Sequence, residues 1–403
     1  MTAIPAPAPA PLQTSATEPE GPALAEGPEK KKKKKKKDEV LRVPGEFSVK
    51  GRVFVLSELS RRERTRLNAL LLPETDNAHS LDFSVPTARA SLKYQAPQEW
   101  LSAEIELEVA DGPDVRDAYI QAKGRHLSAK VGNFKMPVSA FAMESLWDLP
   151  VVRRGLLHDI LSDWLDVGGR HPGVLFGVRG RGGLKPSLAL GAFQGRVLEE
   201  IAPGDRNTDP IALDQVGSES YLDAQSYVVR VGAELADLVD VGAYYQHRVG
   251  SAELGEFEHY PTAGVDAVLD TVFDGAGFRL WFDALMGKSW YEHPEKAADD
   301  DDATFMAARL CSGFRLGGVE PDQFYVEPFA FFSAFEPDRD VSSDLVFEAA
   351  LGVNVGYWDR ARLALQGELA SSGRNFPNST STSYFGGQSQ DHMGLLLQAA
   401  VVF

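Results

Sequence analysis

The chain has 403 residues, 43% of them hydrophobic, and a formal charge of −17. That apolar fraction supports one large folded domain and argues against wholesale disorder. No window holds the ~18 consecutive apolar residues of a membrane-spanning helix, and the single cysteine, Cys311, excludes an intramolecular disulfide and a cysteine-built zinc site.

Residues 1–45 carry nine Lys/Arg against six Asp/Glu. Pro, Ala, Glu and Gly dominate the first part, and eight lysines run from Lys30 to Lys37. Such a segment buries too little apolar surface to offset its ordering entropy, so a disordered N-terminal tail is expected. The lysine run has no aromatic or amphipathic context, so it reads as a solvated linker and no nucleic-acid partner is expected. Residues 1–11 alternate Pro and Ala and lack the basic, apolar and small-residue pattern of an export signal. Residues 46–200 balance their charges, whereas residues 201–403 carry 12 Lys/Arg against 32 Asp/Glu.

From Glu46 onward the apolar period is two. Leu101, Ala103, Ile105, Leu107 and Val109 alternate with Ser102, Glu104, Glu106 and Glu108, which puts the two sets on opposite faces of a strand. Val174, Phe176 and Val178 alternate with Arg179 and Arg181. Tyr227, Val229, Val231 and Ala233 alternate with Arg230 and Glu234, and Phe278 to Met286 repeats the pattern around Arg279 and Asp283. Turn-formers such as Asp111-Gly112-Pro113, Pro203-Gly204-Asp205 and Glu336-Pro337-Asp338 separate the runs.

About sixteen candidate strands follow between residues 46 and 403, each with one apolar and one charged face. A closed antiparallel barrel in a membrane, with a watery interior, accommodates both faces. A soluble surface-layer or adhesin β-protein would be polar on both faces instead. The chain ends Met393, Leu395, Leu397, Ala399, Val401 and Phe403, an apolar strand closing on an aromatic of the kind found in interfacial girdles.

Leu156, Leu157, Ile160, Leu161 and Trp164 recur at helical spacing, so a short amphipathic helix is expected within Val151–Trp164. His158, Asp159 and Asp163 on it do not converge on one point, which argues against a metal or catalytic site. Asp299 to Asp302 read as a solvated outer loop, because no glycine follows at the spacing of a calcium loop. No glycine-rich phosphate loop, nucleophile elbow or zinc-spaced histidine pair occurs, so neither an enzyme nor a cofactor is expected. An enzyme on such a barrel would need a convergent nucleophile, base and oxyanion donor. Arg52, Lys130, Arg179, Arg181 and Arg230 occupy polar strand positions, where they either pair with neighbouring Glu or attract anions in the lumen.

Asp117 to Ile120, Val131-Gly132-Asn133-Phe134-Lys135-Met136-Pro137, Val152-Arg153-Arg154-Gly155-Leu156 and Gly169-Arg170-His171-Pro172-Gly173-Val174 together resemble the phosphate-selective porin O and P family. The order and spacing match over residues 115–181. The resemblance implies a sixteen-stranded outer-membrane barrel of a Gram-negative bacterium, usually a homotrimer, passing small anions such as phosphate. A long loop, here about residues 136–172, would fold inward and narrow it. Carried over by motif, Lys135, Arg153 and Arg170 would lie at or near the constriction, and Arg154 would flank the loop's helix together with Arg153. Where Arg153 stands, the family usually has an acidic residue, so phosphate selectivity does not follow. A non-selective or cation-preferring general porin is the alternative expectation.

Overall fold

The computed structural model describes residues 45–67, 73–110, 112–195, 224–251, 257–273, 275–288, 304–318, 322–340, 345–358, 360–373 and 389–403. The tail of residues 1–44, the Pro203-Gly204-Asp205 turn and Asp299–Asp302 lie outside these residues.

Period-two patterning resolves into sixteen strands: β1 (Glu46–Leu67), β2 (Pro73–Gln95), β3 (Leu101–Glu108), β4 (Asp114–Lys123), β5 (Leu127–Lys135), β6 (Arg170–Arg179), β7 (Leu184–Gln194) and β8 (Gln225–Leu235) form the first half. The second half is β9 (Val239–Ser251), β10 (Phe257–Phe273), β11 (Ala276–Lys288), β12 (Thr304–Gly317), β13 (Phe324–Glu336), β14 (Val346–Tyr357), β15 (Ala361–Ser372) and β16 (Ser389–Val402). Each strand pairs antiparallel with its sequence neighbours, and β1 pairs with β16 to close the barrel. Closure removes both sheet edges and satisfies the backbone without water, as a bilayer requires.

The alternation read from the sequence is the alternation of the wall. Ile105, Leu107 and Val109 are exposed on the outside while Glu106 and Glu108 are buried inside. In β16, Met393, Leu395, Leu397 and Val401 face out, and His392, Leu396, Gln398 and Ala400 are buried. The long connections all follow odd-numbered strands, as after β5, β7, β11, β13 and β15. Those after even-numbered strands are short turns, such as residues 124–126 and 236–238. At the short-turn rim the rings of Phe47 and Tyr94 (centroids 5.0 Å apart) and of Phe324 and Tyr357 (4.9 Å) meet at a tilt, and Trp100 and Phe403 are exposed, an aromatic girdle at one interface. Phe403 is fixed by reciprocal backbone hydrogen bonds with Gly51 (2.7 and 2.9 Å).

The longest described connection, between β5 and β6, runs inside the barrel. It contains α1 (Ala140–Met143), α2 (Leu156–Asp159) and a single π-helical turn, Ile160–Trp164. The short helix expected within Val151–Trp164 is present, and it begins only after Gly155, whose φ of +80° is incompatible with a right-handed helix. A Cβ at Gly155 would lie 2.3 Å from Glu348 Oε2 and 2.9 Å from Phe331. Gly155→Ala should therefore cost about 1–3 kcal/mol, from the left-handed backbone plus the contact with a packed wall. Thermal unfolding in detergent, followed by circular dichroism, measures it.

The interior departs from the simple picture of a polar face around water. Trp281, Phe305, Phe329, Phe331 and Phe335 point inward from β11–β13 and are buried. They pack on Met136, Val138, Phe141, Leu149, Leu156, Leu157 and Ile160 of the inner segment, forming two apolar clusters inside the barrel. Each aromatic so covered contributes about 1.5–3 kcal/mol to holding the segment on the wall.

Candidate functional site

The segment from Met136 to Gly169 is seated by its ends and its middle. At its start, Ser139 (φ +61°) donates its hydroxyl to Asp283 (2.7 Å) and caps α1 by accepting from the Ala142 N–H (3.3 Å). Asp283, fully buried, also accepts from Tyr244 (2.9 Å) and from Arg309 Nε and Nη2 (2.9 and 2.6 Å). Arg230 makes a bidentate pair with Asp266 (2.5 and 2.6 Å), which in turn accepts from the Ala140 N–H (3.2 Å). In the middle, the Val152 N–H donates to Gln366 (2.9 Å) and the Leu156 N–H to Glu348 (2.8 Å). Arg362 donates to the carbonyls of Trp147 and Leu149 (3.2 and 2.7 Å), and Asn354 to that of Pro150 (2.8 Å). At the end, Gln246 accepts from the Gly168 N–H (3.2 Å) and donates to the Asp166 carbonyl (2.9 Å).

These bonds come from β8–β12, β14 and β15. The opposite wall, β2–β6, presents charged groups. Arg89 pairs with Glu108 (2.6 Å) and Glu106 (3.2 Å), Arg116 lies 3.9 Å from Glu108, and Arg170 donates to Asp117 (3.1 Å). Lys130 rests 3.4 Å over the Tyr119 ring and 4.5 Å over that of Phe134, and makes no ion pair among the described residues.

The motif residues turn out to do specific local work. Gly132 (φ +132°) lets β5 approach β4 so closely that a Cβ would meet the Ala118 carbonyl oxygen at 2.1 Å. Phe134 is buried against Phe193, ring centroids 5.4 Å apart. Lys135 donates to the carbonyls of Ala142, Met143 and Glu144 (3.0, 2.9 and 2.7 Å), the C-terminal end of α1. Arg154 converges on the same end, donating to Phe141 and Ala142 (3.3 and 2.7 Å) and to Glu144. Both side chains donate to the carbonyl oxygens exposed at that end, so the two staple the segment.

Arg153 reaches β1, β15 and β16. It donates to Glu368 (3.0 Å) and Glu58 (3.4 Å) and approaches His392 Nε2 (3.5 Å). The ligand atoms of Glu58, Glu368 and His392 lie within 4.8 Å of one another, close enough for a metal ion, but the guanidinium occupies that position and offsets their charge. Arg52 bridges Glu106 and the Ser145 hydroxyl (2.9 Å), tying β1 to the segment. Arg179 pairs with Glu234 near the short-turn rim. Arg181 is an exception to the strand reading. It is exposed in the turn after β6, because β6 ends at Arg179. The structure thus gathers Lys130, Lys135, Arg154 and Arg170 around the inner segment, with Arg52 and Arg153 bound to its flank. Arg230 stands beneath its start, and Arg179 and Arg181 stand away at the rim.

Sequence reasoning missed Arg89, Arg116, Asp283 and Arg309. The available signal was β13, FYVEPFAFFSAFE, which is aromatic on both faces. An inward Phe329, Phe331 and Phe335 demands a covering element inside the barrel.

His158, on α2, reports the local field. Burial, then the charges of Arg154, Arg309, Lys135 and Arg170, hold its imidazole well below the ordinary value of 6.5. A docked imidazole that refuses a proton makes docking strongest above pH 6.5, and docking weakens as pH falls below it. His158→Gln should remove this part of the acid sensitivity. Protease protection of the segment, compared between pH 8 and pH 5 for both proteins, measures the difference.

No protein-family model matches the chain, and no curated protein matches it. Among solved structures, the outer membrane channel DcaP of Acinetobacter baumannii is similar with a TM-score of 0.58 at 13% identity, covering 90% of this chain and 98% of that one. An anion-selective porin from Comamonas acidovorans gives 0.53 at 14% identity, over 89% and 100% of the two chains. OmpT, an outer membrane protein of Vibrio cholerae, gives 0.51 at 10% identity, over 89% and 98%. At these identities the likeness is one of fold, and the fold is that of outer-membrane porin channels.

Proposed function

We propose that this protein is a passive channel in the outer membrane of a Gram-negative bacterium, admitting small hydrophilic anions. The observation that carries the reading is an apolar-belted sixteen-stranded barrel with a segment folded onto one inner wall and basic side chains gathered beside it. A watery lumen narrowed in this way passes solutes by diffusion, and cations at the narrowing lower the barrier for anions while each contact stays weak enough for release. Burial is the largest cause of the lowered proton affinity of His158, and the charges of Arg154, Arg309 and Arg170 add to it, in keeping with basic groups beside the segment.

Phosphate is the solute class suggested by the sequence resemblance, and a homotrimer the assembly. In this reading the channel does not need residues 1–45. Lys30–Lys37 would leave conductance unchanged on deletion of the tail. A pore without ion preference is the second reading, favoured by the carboxylates that partner Arg89, Arg153 and Arg170. Reversal potential in a planar bilayer under a salt gradient decides between them. An anion-directed potential supports the proposal, a potential near zero supports the general pore, and a cation-directed one overturns the anion reading.

A further inference from the structure

We infer that the outer face of the β9–β10 hairpin carries a binding site for a borderline divalent metal ion of the zinc, nickel or copper class, built from His247 and His259. The two imidazoles project from neighbouring strands, His259 standing opposite Val249 and His247 opposite Pro261 in the ladder. Both are on the exposed side of the wall, away from the inner segment, and their rings stack with centroids 5.1 Å apart and planes 25° from parallel.

The decisive distance is between the facing nitrogens. His247 Nε2 lies 3.0 Å from His259 Nδ1. Two neutral imidazoles at that separation share a single proton, one ring donating to the lone pair of the other. A metal ion can take the proton's place. Bonds of about 2.0–2.1 Å at a tetrahedral angle put two ligand nitrogens about 3.3 Å apart, so a few tenths of an ångström of side-chain motion opens the pair to a metal.

The next shell fits the same role. Tyr245 Oη lies 3.3 Å from His247 Nδ1, and the tyrosine ring stacks on that imidazole with planes 15° apart. Metal-bound histidine ordinarily gives its second nitrogen to such a partner, which fixes the tautomer and leaves the other lone pair for the ion. With Nδ1–H donated to Tyr245 Oη, Nε2 of His247 faces His259 as a bare lone pair. His259 is the third residue of β10, beside the β9–β10 connection, so water at that end of the wall fills the remaining positions. Two imidazoles select zinc, nickel or copper over magnesium and calcium, which prefer oxygen ligands. The site uses none of the pore residues, so it stands whether or not the channel reading does.

The test is metal titration of the untagged full chain, folded in detergent, with zinc chloride or copper chloride against a competing chromogenic chelator. Wild type should hold one ion at least tenfold more tightly than His247→Asn or His259→Asn, and copper-loaded protein should show two nitrogen couplings in its electron paramagnetic resonance spectrum. Magnesium chloride should not compete. Both side chains are on the outer surface, and circular dichroism confirms that the variants keep the barrel. His126→Asn, exposed at the opposite rim, should bind as wild type does. Equal affinity of wild type and the double variant, or a copper spectrum that the double variant retains, would overturn the site and leave the pair as a simple hydrogen bond.

Discussion

Replacing Asp283 by leucine should unseat the start of the inner segment and raise single-channel conductance severalfold. The carboxylate is fully buried and takes hydrogen bonds from Ser139, Tyr244 and two nitrogens of Arg309, itself 2% exposed. Removing one member of such a pair leaves an uncompensated charge and costs about 3–5 kcal/mol. Arg309 also lies 4.5 Å over the Phe141 ring, so its displacement would disturb α1 directly. The barrel wall itself is held by a closed ladder and should survive. The double variant Asp283→Leu with Arg309→Met removes both charges and should recover much of the wild-type conductance, because matched apolar groups can replace a buried pair at little cost. Unitary current steps in planar bilayers, with proteolysis of the segment as an independent readout, measure both. If the single variant conducts like wild type, the apolar clusters alone hold the segment.

Lys130→Gln should lower the anion-to-cation permeability ratio more than any other single change on the β2–β6 wall. Arg89 and Arg170 are each offset by a carboxylate within 3.1 Å, whereas Lys130 stands over an aromatic face with its charge unpaired among the described residues. Field lines concentrate in the narrowest part of a low-dielectric wall, so a charge there with no carboxylate in direct contact outweighs several at the rim. Arg181→Gln, at the exposed turn, should leave the ratio unchanged, since rim charges are screened beyond about 8 Å at physiological ionic strength. Reversal potentials for the two variants in the same salt gradient test this. Lys135 and Arg153 are less clean probes. Lys135 holds three carbonyls and Arg153 two carboxylates, so changing them moves the segment as well as the field.

The fold was legible because a membrane barrel writes itself in a period of two. Glu104, Glu106 and Glu108 alternating with apolar residues can sit only on a wall with opposite surroundings on its two sides. Antiparallel pairing of consecutive strands needs only local turns, which glycine, proline and aspartate announce. The inner segment, about residues 136–172, was expected from the resemblance of its flanking motifs to a porin family. The glycines and the Phe134 of those motifs are demanded by backbone angles and close approaches within a few residues.

What the segment touches was not legible. Asp283 and Ser139 are 144 positions apart, and Arg153 meets Glu368 across 215. Strand parity says that both carboxylates point inward, but not which cation each will meet. That pairing depends on the path of a non-repeating chain across the barrel, and the path is set by where inward aromatics offer an apolar seat. The amino-acid sequence by itself determined a closed barrel with its inside and its outside, and its resemblance to a porin family pointed to the chain segment that enters it. Only the tertiary structure decided which charges hold that segment and which remain to face a solute, because a charge's role depends on the partners that folding brings within hydrogen-bond reach.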